Sequence, residues 1–198
     1  MNSRDVWLRI SGNCGIITPI IAFTLISLAI MYSSNFSWTE NALSDLGVQE
    51  GITAPLFNYG LIISGILTLI FASGVFVLFN KMLLGQVDAF VFILNALALT
   101  AIGLFPENIK PTHYQVSVAF FVLYPISMFV IGTAFLLKDT VKTGLFTFLS
   151  AAFAAAVWII YFSTRFANDV AIPETISALS MSAWAAVLGY KMQKDTHK

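Results

Sequence analysis

The 198-residue chain predicts an all-α fold, an integral membrane bundle of six transmembrane helices with both termini cytoplasmic, on three observations. Hydrophobic residues make up 58% of it and charged residues only 10%, against roughly 45–50% and 25% in soluble domains. So little charge cannot clothe a water-facing globule of this length. Six apolar segments each approach the ~20 residues that cross a ~30 Å hydrocarbon core. The ten Lys and Arg divide unevenly between alternate sides of those segments, which the positive-inside rule converts into an orientation. Net charge is zero, which argues against nucleic acid as a partner and leaves membrane lipid as the expected one.

The segments are Cys14–Ser33, Pro55–Phe79, Val87–Leu104, His113–Leu137, Thr143–Phe162 and Ile172–Tyr190. Lipid offers the backbone no hydrogen-bond partner, so each must be helical; the period-2 alternation of a membrane barrel is absent. No small-x-small cleavage pattern follows the first run, which is therefore expected to stay as a helix. Pro19 and Pro125 predict kinks in the first and fourth helices. Cys14, the single cysteine, reads as a small packing residue rather than part of a disulfide or metal knuckle. Arg4 and Arg9 precede the first segment, Lys81 lies in the second connection, and Lys138 and Lys142 lie in the fourth. Lys191, Lys194 and Lys198 follow the last segment, and only Lys110 and Arg165 fall on the opposite side. Trp158 and Tyr161 should then lie near the outer interface and Trp7 and Tyr190 near the inner one. Residues 1–198 are expected to form a single transmembrane domain, with no internal repeat.

The outer side carries the unusual polar residues: Glu40, Asp45, Glu50, Glu107, His113, Asp169 and Glu174. The link from Ser34 to Ala54 is the longest in the chain, and long links are more often structured or functional than idle. Its second half reads as a short helix in which Ser44 or Asp45 satisfies backbone groups and Gly47 ends the turn. Asn58, about one turn into the next helix, reads as interhelical glue. His113, Ser117, Phe120 and Tyr124 share one helical face that loses polarity with depth, as the wall of an outward-open cavity would. Glu174, Ser177, Met181 and Trp184 form a second such face, although Pro173 and Glu174 also suit any helix start. Arg165 could pair with Asp169, Glu107 or Glu40, or clamp a phosphate. Ionisable residues at membrane depth mark function by default.

The run from Asn41 through Leu43-Ser44-Asp45-Leu46-Gly47, Asn58 and Gly60, Gly103-Leu104-Phe105-Pro106-Glu107, then His113 and Ser117, resembles the small membrane-protein family catalogued as domain of unknown function 998. The resemblance spans about Gly15 to Tyr190, with the Leu-Ser-Asp-Leu-Gly and Phe-Pro…His blocks its most specific parts. It implies a six-helix bundle of a mainly prokaryotic family and shared positions at Ser44, Asp45, Gly47, Asn58, Pro106 and His113. Glu174 belongs to a less general block. The family implies no activity.

Two function classes remain in contention, with a third behind them. The first, slightly preferred, is an outward-facing hydrolase or transferase acting on lipid or lipid-linked substrates. In it Asp45, Glu107 and His113 are the catalytic candidates, acting as acid–base groups or as ligands of a divalent metal. Ser44, Asn58, Ser117, Tyr124 and Arg165 are the substrate-binding candidates. Ser44 lacks the glycine-flanked elbow of a seryl nucleophile. The second class is a non-enzymatic lipid- or small-molecule-binding or transport protein, although only Asn95 and Tyr124 stand out as mid-membrane polar groups. The third is a scaffold subunit, for which Gly60 and Ser64 offer a small-xxx-small face and a candidate homo-oligomer contact. Two histidines, His113 and a tail His197, are too few for the usual haem axial pairs.

Overall fold

The computed structural model describes residues 2–195, and His197 and Lys198 of the tail lie outside the described residues. Six long helices are joined by short links at one end and longer ones at the other: α1 (Ser3–Tyr32), α2 (Thr53–Leu78), α3 (Leu83–Leu104), α4 (Thr112–Leu137), α5 (Val141–Thr164) and α6 (Ala171–Asp195). All six are long and apolar enough to cross a membrane. Each packs on its sequence neighbours, and α6 returns to α1, closing an up-and-down ring.

The first helix starts well before Cys14. The Asn2 side chain accepts the Asp5 N–H at 2.9 Å, capping the helix at Ser3. Leu8 and Ser11 are buried against the bundle, so a turn bearing Arg4 and Arg9 is held by packing that a hydropathy window does not register. Pro19 and Pro125 both lie inside continuous helices. Where α1 meets α6, Gly12 and Gly189 bring the backbones together: a Cβ on Gly12 would sit 2.6 Å from the Gly189 carbonyl oxygen. Gly60 packs on Leu25 of α1 and Ser64 is fully buried, so this small-residue face serves packing within the chain.

Two apolar clusters divide the interior. One, in the half near the short links, includes Phe71, Phe92, Met128 and Trp184. The Trp184 ring meets Phe92 and Phe71 edge-on at 5.4 and 5.8 Å, and its indole N–H donates to Thr147 Oγ1 at 3.0 Å. The other cluster, at the opposite end, gathers Ile26, Leu46, Phe57, Ile102 and Phe120. Exposed apolar side chains such as Leu149 and Ile159 cover the outside of the ring, the surface that a hydrocarbon solvent accepts.

The link after α1 folds into the mouth of the ring. Residues Leu43–Val48 form a 3-10 helix whose Leu43, Ser44, Leu46 and Gly47 are buried. The Asp45 carboxylate accepts the Ala42 N–H at 3.1 Å and the Asn41 side-chain amide at 2.8 Å. Gly47 does not end this turn; it is the point of contact with α2. A Cβ there would meet Asn58 Oδ1 at 2.5 Å, while Asn58 Nδ2 donates to the Gly47 carbonyl at 2.8 Å. Asn58 is thus the glue between α2 and this cap.

Candidate functional site: a capped cavity in the ring

Beneath the cap lies a cavity of about 130 Å³. Leu43 and Ser44 form its roof, and its walls come from α1, α2, α3, α4 and α6. Polar groups gather towards the cap, where Ser44, Ser117 and Glu174 line it. Deeper, the lining is Phe57, Leu61, Phe92, Phe120, Met181 and Trp184, with Ser64 and Asn95 among them. The two helical faces expected from the sequence supply two of the walls: Ser117, Phe120 and Tyr124 from α4, and Glu174, Met181 and Trp184 from α6. Ser177, the remaining member of the second face, is fully buried.

Glu174 holds the roof in place. It sits in the first turn of α6, and its carboxylate accepts the Leu43 N–H at 2.7 Å. Backbone bonds reinforce that junction. Ala171 N–H donates to the Asn41 carbonyl at 3.0 Å, and Asn168 N–H to the Thr39 carbonyl at 2.8 Å. The Asn168 side chain reaches Glu40 at 2.8 Å. The residues joining α5 to α6 therefore pin the link that follows α1.

Ser44 connects the cavity to a pair of carboxyl groups outside it. Its hydroxyl donates to Glu107 Oε2 at 3.1 Å, and Glu107 also faces Asp45. Burial pushes the Glu107 carboxyl above the usual carboxylate range, and the Asp45 carboxyl beside it pushes the same way. The Ser44 donor and the Lys110 charge oppose them. Two carboxyls in contact are most easily accommodated with one protonated.

His113 is buried, and both ring nitrogens are engaged. Nδ1 lies 2.8 Å from the Phe105 carbonyl and Nε2 lies 3.3 Å from Ser117 Oγ. The Nδ1–H tautomer satisfies both contacts: it donates to the carbonyl at the end of α3, while Nε2 accepts from Ser117. His113 thus fastens α4 to α3 and touches the cavity only through Ser117. Among the described residues no three His, Cys, Asp or Glu side chains form a metal-holding group. The expected trio of His113, Glu107 and Asp45 does not converge, because the imidazole is turned to Phe105 and Ser117 while the carboxyls face each other.

A family model, described as Protein of unknown function (DUF998), matches residues 16–191. The chain belongs to that family. No curated protein and no solved structure matches it. The DUF998 match takes in the whole cap, all the cavity-lining residues, and the Asp45, Glu107 and His113 contacts.

Two of the substrate-binding candidates in this DUF998 chain lie away from the cavity. Asn58 is engaged with Gly47, and Arg165 is exposed at the end of α5. The Arg165 guanidinium lies 5.4 and 5.3 Å from the ring centres of Tyr161 and Phe162 and makes no ion pair with Glu40, Glu107 or Asp169. Tyr124 lines the cavity, with its hydroxyl turned to Ser150 Oγ at 2.6 Å. Ser150 in turn lies 3.0 Å from Ser180 Oγ, giving a polar belt through α4, α5 and α6. Asn95 Nδ2 donates to the Phe120 carbonyl at 2.6 Å, close to where Pro125 interrupts the backbone ladder. Asp88 of α3 escaped the sequence reading altogether. It is fully buried beside Ser127 of α4, and neither side chain completes a hydrogen bond. Its spacing from Phe92 and Asn95, on one helical face, was the available signal.

Proposed function

We propose that the protein binds one amphipathic molecule of the membrane, its apolar segment in the cavity and its polar group against Ser44, Ser117 and Glu174. The observation that carries this reading is the lining of the cavity: Ser44, Ser117 and Glu174 at the capped end, and below them mainly aromatic and aliphatic walls with Ser64, Thr68 and Asn95 among them. Ligand sites typically combine such walls with a few convergent polar groups. An apolar protein cavity of ~150 Å³ admits benzene, so this one suits a ring or a short alkyl stretch. Glu174 accepts hydrogen bonds and the serines both donate and accept, which favours a hydroxyl- or amine-bearing polar group. A multi-pass protein of the cell membrane, with both termini cytoplasmic, is the setting we assign. Arg4, Arg9, Lys81, Lys138, Lys142, Lys191 and Lys194 all belong to the end remote from the cap, as the positive-inside rule requires.

A hydrolase or transferase acting on the same lipid is the second reading, favoured by one contact. Ser44 touches the cavity and also Glu107, whose raised pKa suits a general acid.

Ala178 lines the cavity on α6 one turn below Glu174, so Ala178→Phe fills it without replacing Ser44, Ser117 or Glu174. Native mass spectrometry of gently solubilised protein should detect an adduct of an amphipathic molecule on the parent and none on Ala178→Phe of equal helicity. An adduct equally abundant on both would overturn the cavity-binding reading. Consumption of the extracted ligand by the parent but not by Glu107→Gln would select the enzyme reading.

A further inference from the structure

At the other end of the ring, a second pocket of about 80 Å³ opens between α2, α4, α6 and the link from α4 to α5. That is several times the space one water needs. Its lining includes Lys138 and Lys191 with Leu78, Phe135, Leu188 and Met192. Both lysines are held from below. Lys138 Nζ donates to the Leu78 carbonyl at 2.7 Å and lies 4.6 Å from the Phe79 ring centre. Lys191 Nζ donates to Thr143 Oγ1 at 2.6 Å and lies 5.6 Å from the Phe135 ring centre. Those two rings pack edge-on at 5.1 Å, so one aromatic pair supports both ammonium groups.

Each ammonium has three donors, and each lysine makes one hydrogen bond. Among the described residues neither forms an ion pair with a carboxylate. Burial pushes the Lys138 pKa down, and the Arg4 charge nearby pushes the same way. Leu137 and Val141, close to Lys138 in the chain, are both exposed. A soluble anion has no use for such flanks, whereas a lipid does.

We propose that this pocket binds the phosphate of an anionic phospholipid headgroup between Lys138 and Lys191, with the acyl chains lying along Leu137 and Val141. Basic pockets between transmembrane helices select anionic lipids through the same combination of charge and apolar surface.

The test is native mass spectrometry of the full-length protein titrated with phosphatidylglycerol, phosphatidylcholine or inorganic phosphate. The parent should prefer phosphatidylglycerol over phosphatidylcholine on the order of 10-fold or more, since both lysines attract an anionic headgroup. Lys138→Gln/Lys191→Gln should lose that preference, and Lys138→Arg/Lys191→Arg should keep most of it. Lys81→Gln, exposed in the neighbouring link, should leave it unchanged. Three results would each overturn the proposal. The double glutamine variant could retain the preference with parental helicity; Lys81→Gln could weaken it as much, which would assign it to diffuse surface charge; or equimolar inorganic phosphate could displace the lipid, which would make the site one for a free anion. Should the double variant not fold, the single variants Lys138→Gln and Lys191→Gln decide by the same comparison.

Discussion

Glu107 illustrates how single side chains behave when a cap folds against a membrane bundle. Its carboxyl sits half-buried between Ser44 and Asp45, and burial and the neighbouring carboxyl both raise its pKa. A group whose folded pKa exceeds the unfolded value favours the fold while protonated. That contribution is complete below the unfolded value of ~4.3 and is lost as pH rises through the higher folded value. Glu107→Gln keeps a neutral group at every pH, so the parent should lose thermal stability relative to the variant as pH rises above the ordinary carboxylate range. Parallel melting curves would refute this assignment. His113 teaches the converse point. A buried histidine near carboxylates has the composition of a catalytic or metal site, yet its two ring contacts make it a fastener first. Only geometry separates the two, because the same residues at the same spacing serve either end.

At the scale of elements, the cap is the part whose stability is most local. Asn41 accepts the Ser37 N–H at 2.9 Å and donates to Asp45 at 2.8 Å. Asn41→Ala removes both bonds at about 1 kcal/mol each. Amide exchange in residues 37–45 should therefore accelerate on the order of 10-fold or more, with the helices unchanged; unchanged exchange in the cap would show that Glu174 and the α5–α6 link hold it alone. The six helices were legible in the sequence because a membrane solvent demands long apolar runs. The folding of the cap into the ring was not, since Leu43, Leu46 and Val48 are scattered among polar residues and form no continuous apolar run. The early start of α1 was hidden by Arg4, Asp5 and Arg9, although Asn2 is a recognisable cap. The polar belt of Ser150 and Ser180 was hidden for another reason. A serine in a membrane helix can bond its own backbone, as Ser11 does with Trp7 at 2.8 Å, so composition does not disclose which serines reach across. Asp88 is hidden by its place, the second residue of the span expected from Val87, whereas α3 begins at Leu83 and carries it into the bundle.

For the whole molecule, the two ends of the ring have opposite characters: carboxylates and a roofed cavity at one, lysines over aromatic rings at the other. The single cysteine, Cys14, is buried, so introduced cysteines report orientation with little background. Glu50 and Lys81 are both exposed, in links at opposite ends. Glu50→Cys should react with a membrane-impermeant maleimide in intact cells, and Lys81→Cys only after the membrane is opened. The reverse pattern would invert the assigned topology.

The bond from the Leu43 N–H to Glu174 spans 131 positions of the chain, and this bears on biogenesis. Helices enter the bilayer in order of synthesis, so a nascent chain that has released five of them has most of the cavity walls but no anchor for its roof. Only the arrival of α6 supplies Glu174, the Ala171 amide and the wall that carries Trp184. The cavity is thus closed only by the sixth helix to be made, and until then its walls stand open to the lipids among which the protein is being assembled.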